Sequence, residues 1–222
     1  FLPRCNLRCR YCHAAHLLKP GEMEGISREQ ILSYIGDQSG WLDGAVITGG
    51  EPTLHGNELE ELIGQIRSRG VEVMVETNGT RPEWVGRLIS KGSIAALSMD
   101  VKAPLNEEDY GRVTRAEVEI PHLRASIRTI KESGIPHEFR ITVVPGLVGQ
   151  DEVERIGPEL EGAEKVALQN FQPENTLDPA LHDVDPFLPE EMDAMGEALE
   201  PWAESVVVRG RERGLVVRGG GG

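Results

Sequence analysis

Cysteine, aromatic residues, positive charge and long apolar runs are all scarce in this chain. Only three cysteines occur in 222 residues, an odd number with no distant partner, so a disulfide framework is a poor reading and a reducing compartment fits better. No apolar run approaches the length a bilayer demands, and the start shows no signal-peptide pattern. Neither membrane spanning nor ordinary secretion is therefore expected, and the chain is read as cytoplasmic. Lys and Arg number 23 against 37 Asp and Glu, a net charge of −14. An acidic body argues against nucleic-acid binding, which needs a basic face. No Walker loop and no Ser–His–Asp spacing stands out.

What is present fits a globular protein: 39% hydrophobic and 27% charged residues, and enough length for one large domain. Helical and extended patterns alternate along it. Ser27 with Gln30 resembles a capping box ahead of Ile31, Leu32 and Ile35, and Asn57 with Glu60 a second capped start ahead of Leu59, Leu62, Ile63 and Ile66. Further helices are expected at 82–91, 121–133, 151–160 (interrupted at Pro158) and 189–204. Strands are expected at 44–48, 71–75, 94–101, 138–144 and 165–171, with a candidate at 205–209. This alternation predicts βαβ units and a parallel sheet. Pattern alone leaves open sheet and barrel undecided. Residues 1–218 are read as one domain and 219–222 as a glycine tail, and Phe1–Leu2 as the end of a strand cut off by the start of the chain.

The residues that need a special reason fall after the strands: 49–52, 76–79, 100–104, 145–146 and 169–173. That is the end of a parallel sheet where loops converge and ligands bind. The cysteines lie just before the first of these, as Cys5-x3-Cys9-x2-Cys12, in a stretch whose Arg4, Arg8, Arg10 and Lys19 face no acid. Three thiolates on a short loop can converge on soft metal, and the arginines are expected to lower their pKa values. A closed zinc site wants a fourth ligand, for which His13 or His16 would have to serve. An iron–sulfur cluster on three cysteines keeps one iron open. Both readings stand at this point.

The cysteine spacing, with Tyr11 before the last cysteine and Gly49-Gly50-Glu51-Pro52 at a strand end, resembles the radical S-adenosylmethionine superfamily. Stretches 48–54, 76–80, 99–104 and 139–146 resemble its glycyl-radical-enzyme activases, above all the activating proteins of anaerobic ribonucleoside-triphosphate reductase.

The resemblance implies a partial (β/α)6 TIM-like barrel whose N-terminal strand is truncated here. It implies a 4Fe–4S cluster on Cys5, Cys9 and Cys12, with S-adenosylmethionine chelated by the open iron and cleaved reductively to a 5′-deoxyadenosyl radical. Gly49 and Gly50 would bring backbone close to the cofactor, Glu51 would lie beside its ammonium, and Pro52 would fix the turn. Glu76, Thr77, Ser98 and Asp100 match positions around the cofactor carboxylate and a monovalent cation, with Asn78 adjoining and Lys102 a second charge at that end. Arg140 and Val144 fall where ribose and adenine contacts lie, with Gln169 and Phe171 further candidates.

The implied activity is installation of a glycyl radical on a partner enzyme, of the anaerobic ribonucleotide reductase or pyruvate formate-lyase type. Flavodoxin or ferredoxin would be the electron donor, and neither nucleic acid nor membrane a partner. Radical chemistry on a small molecule, as in deazapurine synthesis, and a non-catalytic zinc-binding protein are the alternatives.

Overall fold

The computed structural model describes residues 1–18, 24–210 and 214–219. Seven strands form one sheet in chain order: β1 Ala45–Ile47, β2 Val73–Thr77, β3 Ala96–Asp100, β4 His137–Val143, β5 Ala163–Asn170, β6 Ala203–Gly210 and β7 Gly214–Gly219. The first six pair in parallel, each with the next, and β7 turns back antiparallel on β6. A parallel pair needs a crossover, and crossovers in one sheet share one hand. A doubly wound sheet would reverse its strand order part-way; this one never does, so its connecting helices fall on one side and the sheet curls as a partial TIM-like barrel.

The helices are α1 Arg28–Gln38, α2 Asn57–Arg67, α3 Pro82–Ser90, α4 Glu107–Thr114, α5 Ile120–Glu132, α6 Gln150–Ile156 and α7 Pro189–Leu199. Strand alternation sorts the two faces. Phe139, Ile141 and Val143 of β4 and Val73 and Val75 of β2 are fully buried toward the helices, beside Leu59, Ile63, Leu123, Ile127 and Ile130. The alternate residues Glu76, Asp100, Glu138 and Arg140 meet one another or other charged strand residues on the concave face. Among the described residues no helix is long and apolar enough to cross a membrane.

Several boundaries differ from the expected ones, each for a local reason. The Ser27–Gln30 capping box forms, with reciprocal bonds of 3.2 and 3.0 Å. Asn57 does not cap α2; Gly56, at φ +55°, takes that place and Asn57 is the first helical residue. Helix 151–160 breaks at Gly157 into α6 and a 3-10 turn. The last helix stops at Leu199, because Pro201 opens a 3-10 turn and β6 begins at Ala203. Two elements escaped the pattern altogether: α4, whose buried apolar face is little more than Tyr110 and Val113, and β7. Gly219 ends β7, and residues 220–222 of the expected tail lie outside the described residues. At the free edge of β1, Leu2 makes one parallel bridge to Gly49.

Gly196 shows how tightly α7 sits on the sheet. A Cβ on Gly196 would lie 2.7 Å from Cγ2 of Val208, a stiff buried side chain of β6. Alanine normally stabilises a helix interior by about 1 kcal/mol over glycine. Here the sign reverses: Gly196→Ala is expected to destabilise by about 1–3 kcal/mol through overpacking. Combining it with Val208→Ala should recover part of that loss in denaturant unfolding.

Candidate active site

The site is built where the cysteine loop lies across the C-terminal ends of β1, β2 and β3. Leu2 donates to the carbonyl of Thr48 (2.7 Å) and accepts from the N–H of Gly50 (2.8 Å), and the N–H of Glu51 donates to the carbonyl of Arg4 (2.8 Å). A Cβ on Gly49, whose φ is +136°, would run into the Leu2 backbone, and one on Gly50 into the Arg4 carbonyl. The two glycines thus bring the strand end against the chain's own cysteine loop, and both also line the cavity beside the cysteines.

Glu51 has a different place from the one expected. It is completely buried and does not line the cavity beside the cysteines. Its Oε1 accepts from the Thr53 N–H (3.0 Å), the Thr53 hydroxyl (2.6 Å) and the Thr77 hydroxyl (2.7 Å), and its Oε2 from the Asn78 N–H (2.6 Å). Burial pushes its carboxyl pKa up, and these four donors pull it back. The side chain therefore ties the β1 turn to the end of β2. Pro52 is buried at the start of the 3-10 turn that follows.

Cys5, Cys9 and Cys12 all line one cavity of about 120 Å³. Its walls also hold Tyr11, Gly49, Gly50, Glu76, Thr77, Asn78, Asp100, Lys102 and Arg140, which the sequence singled out, and Leu7, Ala14, Leu18 and Thr48, which it did not. Thr48 could have been found as the polar residue directly before the glycine pair, since its hydroxyl donates to Glu76 (2.8 Å). The other three are spacers of the cysteine loop and the turn after it, without any signal of their own. Besides Glu51 and Pro52, four expected residues lie off the cavity wall. Ser98 is buried on the concave face with an unpartnered hydroxyl, and Val144 is buried in a turn where it donates to Val148. Gln169 lies in β5 in register with Arg209, and Phe171 is buried in the core.

The donor set distinguishes between kinds of metal centre. A single zinc ion needs its ligands about 2.0–2.3 Å from one point. Among the described residues no three His, Cys, Asp or Glu side chains converge on one ion in that way. His13 bonds the Glu174 carbonyl (3.0 Å), and neither it nor His16 lines the cavity. Three thiols spread around one cavity suit a group large enough to meet each sulfur separately, as a multi-iron cluster does.

Burial pushes the Cys9 thiol up to about 12 and raises Cys5 as well, so ligation here must release protons. The expected help from the arginines is not what the structure provides. Arg8 donates to the carbonyls of Cys5 and Leu7 (2.7 and 2.8 Å) and Arg10 pairs with Asp178 (2.6 Å). The cation acting on Cys5 and Cys9 is Lys102.

Lys102 belongs to a balanced charge cluster. Its Nζ donates to Asp100 (2.7 Å) and stands 5.9 Å from the Tyr11 ring centroid, whose buried hydroxyl has no partner. Arg140 bridges the carboxylates, donating to Asp100 (2.6 Å) and to both oxygens of Glu76 (3.1 and 3.2 Å). Burial alone would raise the Asp100 pKa, but Lys102 and Arg140 overcome it and hold it at about 2. Two cations thus neutralise two carboxylates, and of the four residues expected around a monovalent cation the two charged ones, Glu76 and Asp100, already have protein cations against them.

Residues 1–156 match the Radical SAM superfamily, and the chain belongs to it. A protein of Methanocaldococcus jannaschii named as a glycyl-radical enzyme activating enzyme is 27% identical over 213 residues, 94% of this chain and 87% of its own. A 7-carboxy-7-deazaguanine synthase of Hyperthermus butylicus is 30% identical over 160 residues, 65% of this chain and 66% of its own. A crystallised domain of pyruvate-formate lyase-activating enzyme from Bacteroides vulgatus shares the fold at a TM-score of 0.61 and 18% identity, over 76% of this chain and 100% of that domain.

Two outcomes follow from this geometry. Glu51→Ala removes the acceptor of four buried donor groups and is expected to lower the unfolding free energy of the metal-free protein by about 3 kcal/mol; a loss below about 0.5 kcal/mol would mean that the side chain serves only a ligand. Affinity for S-adenosylmethionine, titrated on reconstituted protein, is expected to be equal in sodium, potassium and choline chloride, because Arg140 and Lys102 already supply the positive charge. A loss confined to choline would contradict this.

Proposed function

We propose that this member of the radical S-adenosylmethionine superfamily is an activase that installs a glycyl radical on a partner protein of the anaerobic ribonucleotide reductase or pyruvate formate-lyase type. The observation that carries the reading is the likeness to the Methanocaldococcus jannaschii glycyl-radical enzyme activating enzyme along 94% of this chain. The architecture is in keeping with it. The cavity that holds the three cysteines is walled by residues of β2, β3 and β4 and of the turn after β1.

In this reading Cys5, Cys9 and Cys12 would hold three irons of a 4Fe–4S cluster, and S-adenosylmethionine would bind beside it against the polar wall of the cavity. Together, when bound, these groups supply reductive cofactor cleavage and hydrogen-atom abstraction, the chemistry that belongs to the cofactor rather than the protein. The chain contributes position and charge. Lys102 and Arg140 offer cations to the cofactor carboxylate, Glu76 and Asp100 offer anions to its ammonium, and Thr77 and Asn78 line the wall between them. Leu7, Tyr11 and Leu18 supply an apolar side that excludes water. Flavodoxin or ferredoxin is the proposed electron donor, and an anaerobic cytoplasm the proposed setting, because cysteine thiolates oxidise readily.

The relative from Hyperthermus butylicus favours a second reading, radical chemistry on a small deazapurine precursor. Reconstituted protein incubated anaerobically with reductant, S-adenosylmethionine and each candidate partner enzyme separates the two. The activase reading expects a glycyl radical signal on the partner by EPR. Silent partners together with consumption of a deazapurine precursor would overturn it.

A further inference from the structure

The cysteine loop has no helix or strand between the bridge at Leu2 and the 3-10 turn Ala15–Leu18, so its shape must come from outside. Two distant segments flank it. On one side, at the end of α4, the carbonyls of Thr114 and Val113 accept from the N–H groups of Arg8 (2.8 Å) and Arg10 (3.0 Å). On the other, the N–H groups of Asp178 and Leu177 donate to the carbonyls of Arg10 (2.9 Å) and Cys12 (3.1 Å). Arg10 therefore gives its N–H to one segment and its carbonyl to the other, and the stretch from Cys9 to Cys12 is the middle line of three.

One carboxylate joins all three lines. Asp178 Oδ2 accepts from Arg10 Nε (2.6 Å) in the loop and from Arg115 Nη2 (2.7 Å) just past α4, and Oδ1 from the Ala180 N–H (3.2 Å) in its own segment. Its side chain is 8% exposed. Arg115 has a φ of +48°, a left-handed conformation that a non-glycine residue adopts only when something holds it. Without the carboxylate, two guanidinium groups would face each other across the loop, and each backbone contact would have to hold alone.

We propose that Asp178 is a positioning residue of the metal-binding loop, pinning the flanking segments across Arg10 so that Cys9 and Cys12 keep a fixed separation toward the cavity. The inference rests on the reading that the three cysteines hold one group. It assigns a role to a residue 168 positions away from the arginine it binds.

The test uses two readouts: the rate at which the thiols of the metal-free protein react with a disulfide reagent, and the rate at which the reconstituted cluster is lost to a chelator. In Asp178→Ala both are expected to rise about tenfold, the scale seen when a residue supporting metal ligands is removed. Asp178→Asn, which keeps an acceptor for one arginine, should fall between it and wild type. Glu159→Gln removes a comparable surface ion pair with Arg124 (2.6 Å) and should leave both rates unchanged. If Asp178→Ala does not fold, Arg115→Ala is the substitute, with smaller rises expected in the same two rates. Wild-type rates in whichever of these folds would overturn the proposal, and so would equal rises in Asp178→Ala and Glu159→Gln. If the wild-type protein takes up no cluster, the reading of the cysteines fails, while the thiol kinetics still decide the role of Asp178.

Discussion

A loop without regular structure must be laid against a rigid edge, and here that edge is the glycine pair after β1. Gly49 and Gly50 meet the backbone of Leu2 and Arg4 so closely that no side chain fits between them. Glu51 then locks the turn to β2 through four buried hydrogen bonds, so the loop, the turn and the neighbouring strand become one piece. The position of the thiols depends on that contact. So does the cavity, because the same glycines form part of its wall. A carboxylate with all four donors satisfied inside the protein is a structural anchor; its conspicuous place in the sequence comes from the packing it secures.

Electrostatics within the cavity run against the whole-chain balance. The chain carries a net charge of −14, yet at the cavity Lys102 and Arg140 match Asp100 and Glu76 one for one. A locally neutral pair of ion pairs offers both signs to a zwitterionic group at little cost, because each side chain can exchange one partner for another. It also sets Lys102 near Cys5 and Cys9, where it opposes, without cancelling, the desolvation that raises their pKa values. The arginines next to the cysteines serve a different end, holding the loop by its carbonyls and by Asp178.

Alternation of strand and helix was legible because buried parallel strands are short apolar runs and their crossovers are amphipathic, and both patterns are local. Choosing barrel over open sheet required the strand order, which no local pattern encodes. α4 was missed because a helix with two buried apolar residues in eight hardly differs from a polar loop, and β7 because glycine-flanked residues near the end resemble a tail. Spacing alone singled out Cys5, Cys9 and Cys12, and the strand ends most of the other residues that line the same cavity. The direction of Glu51 was not legible: a turn residue can point into the site or beneath it, and only the positions of Thr53, Thr77 and Asn78 decide. Asp178 lay beyond sequence reasoning for a plainer reason, since its partners Arg10 and Arg115 come from segments that meet only in the folded chain.

The central claim is that Cys5, Cys9 and Cys12 present three sulfurs to a cluster that keeps one iron open to S-adenosylmethionine. EPR of the anaerobically reconstituted, dithionite-reduced protein, recorded with and without S-adenosylmethionine, tests it most directly. The account predicts a reduced 4Fe–4S signal whose line shape changes when the cofactor is added. A protein that forms no cluster and binds zinc in its place, or a cluster signal indifferent to the cofactor, would contradict it.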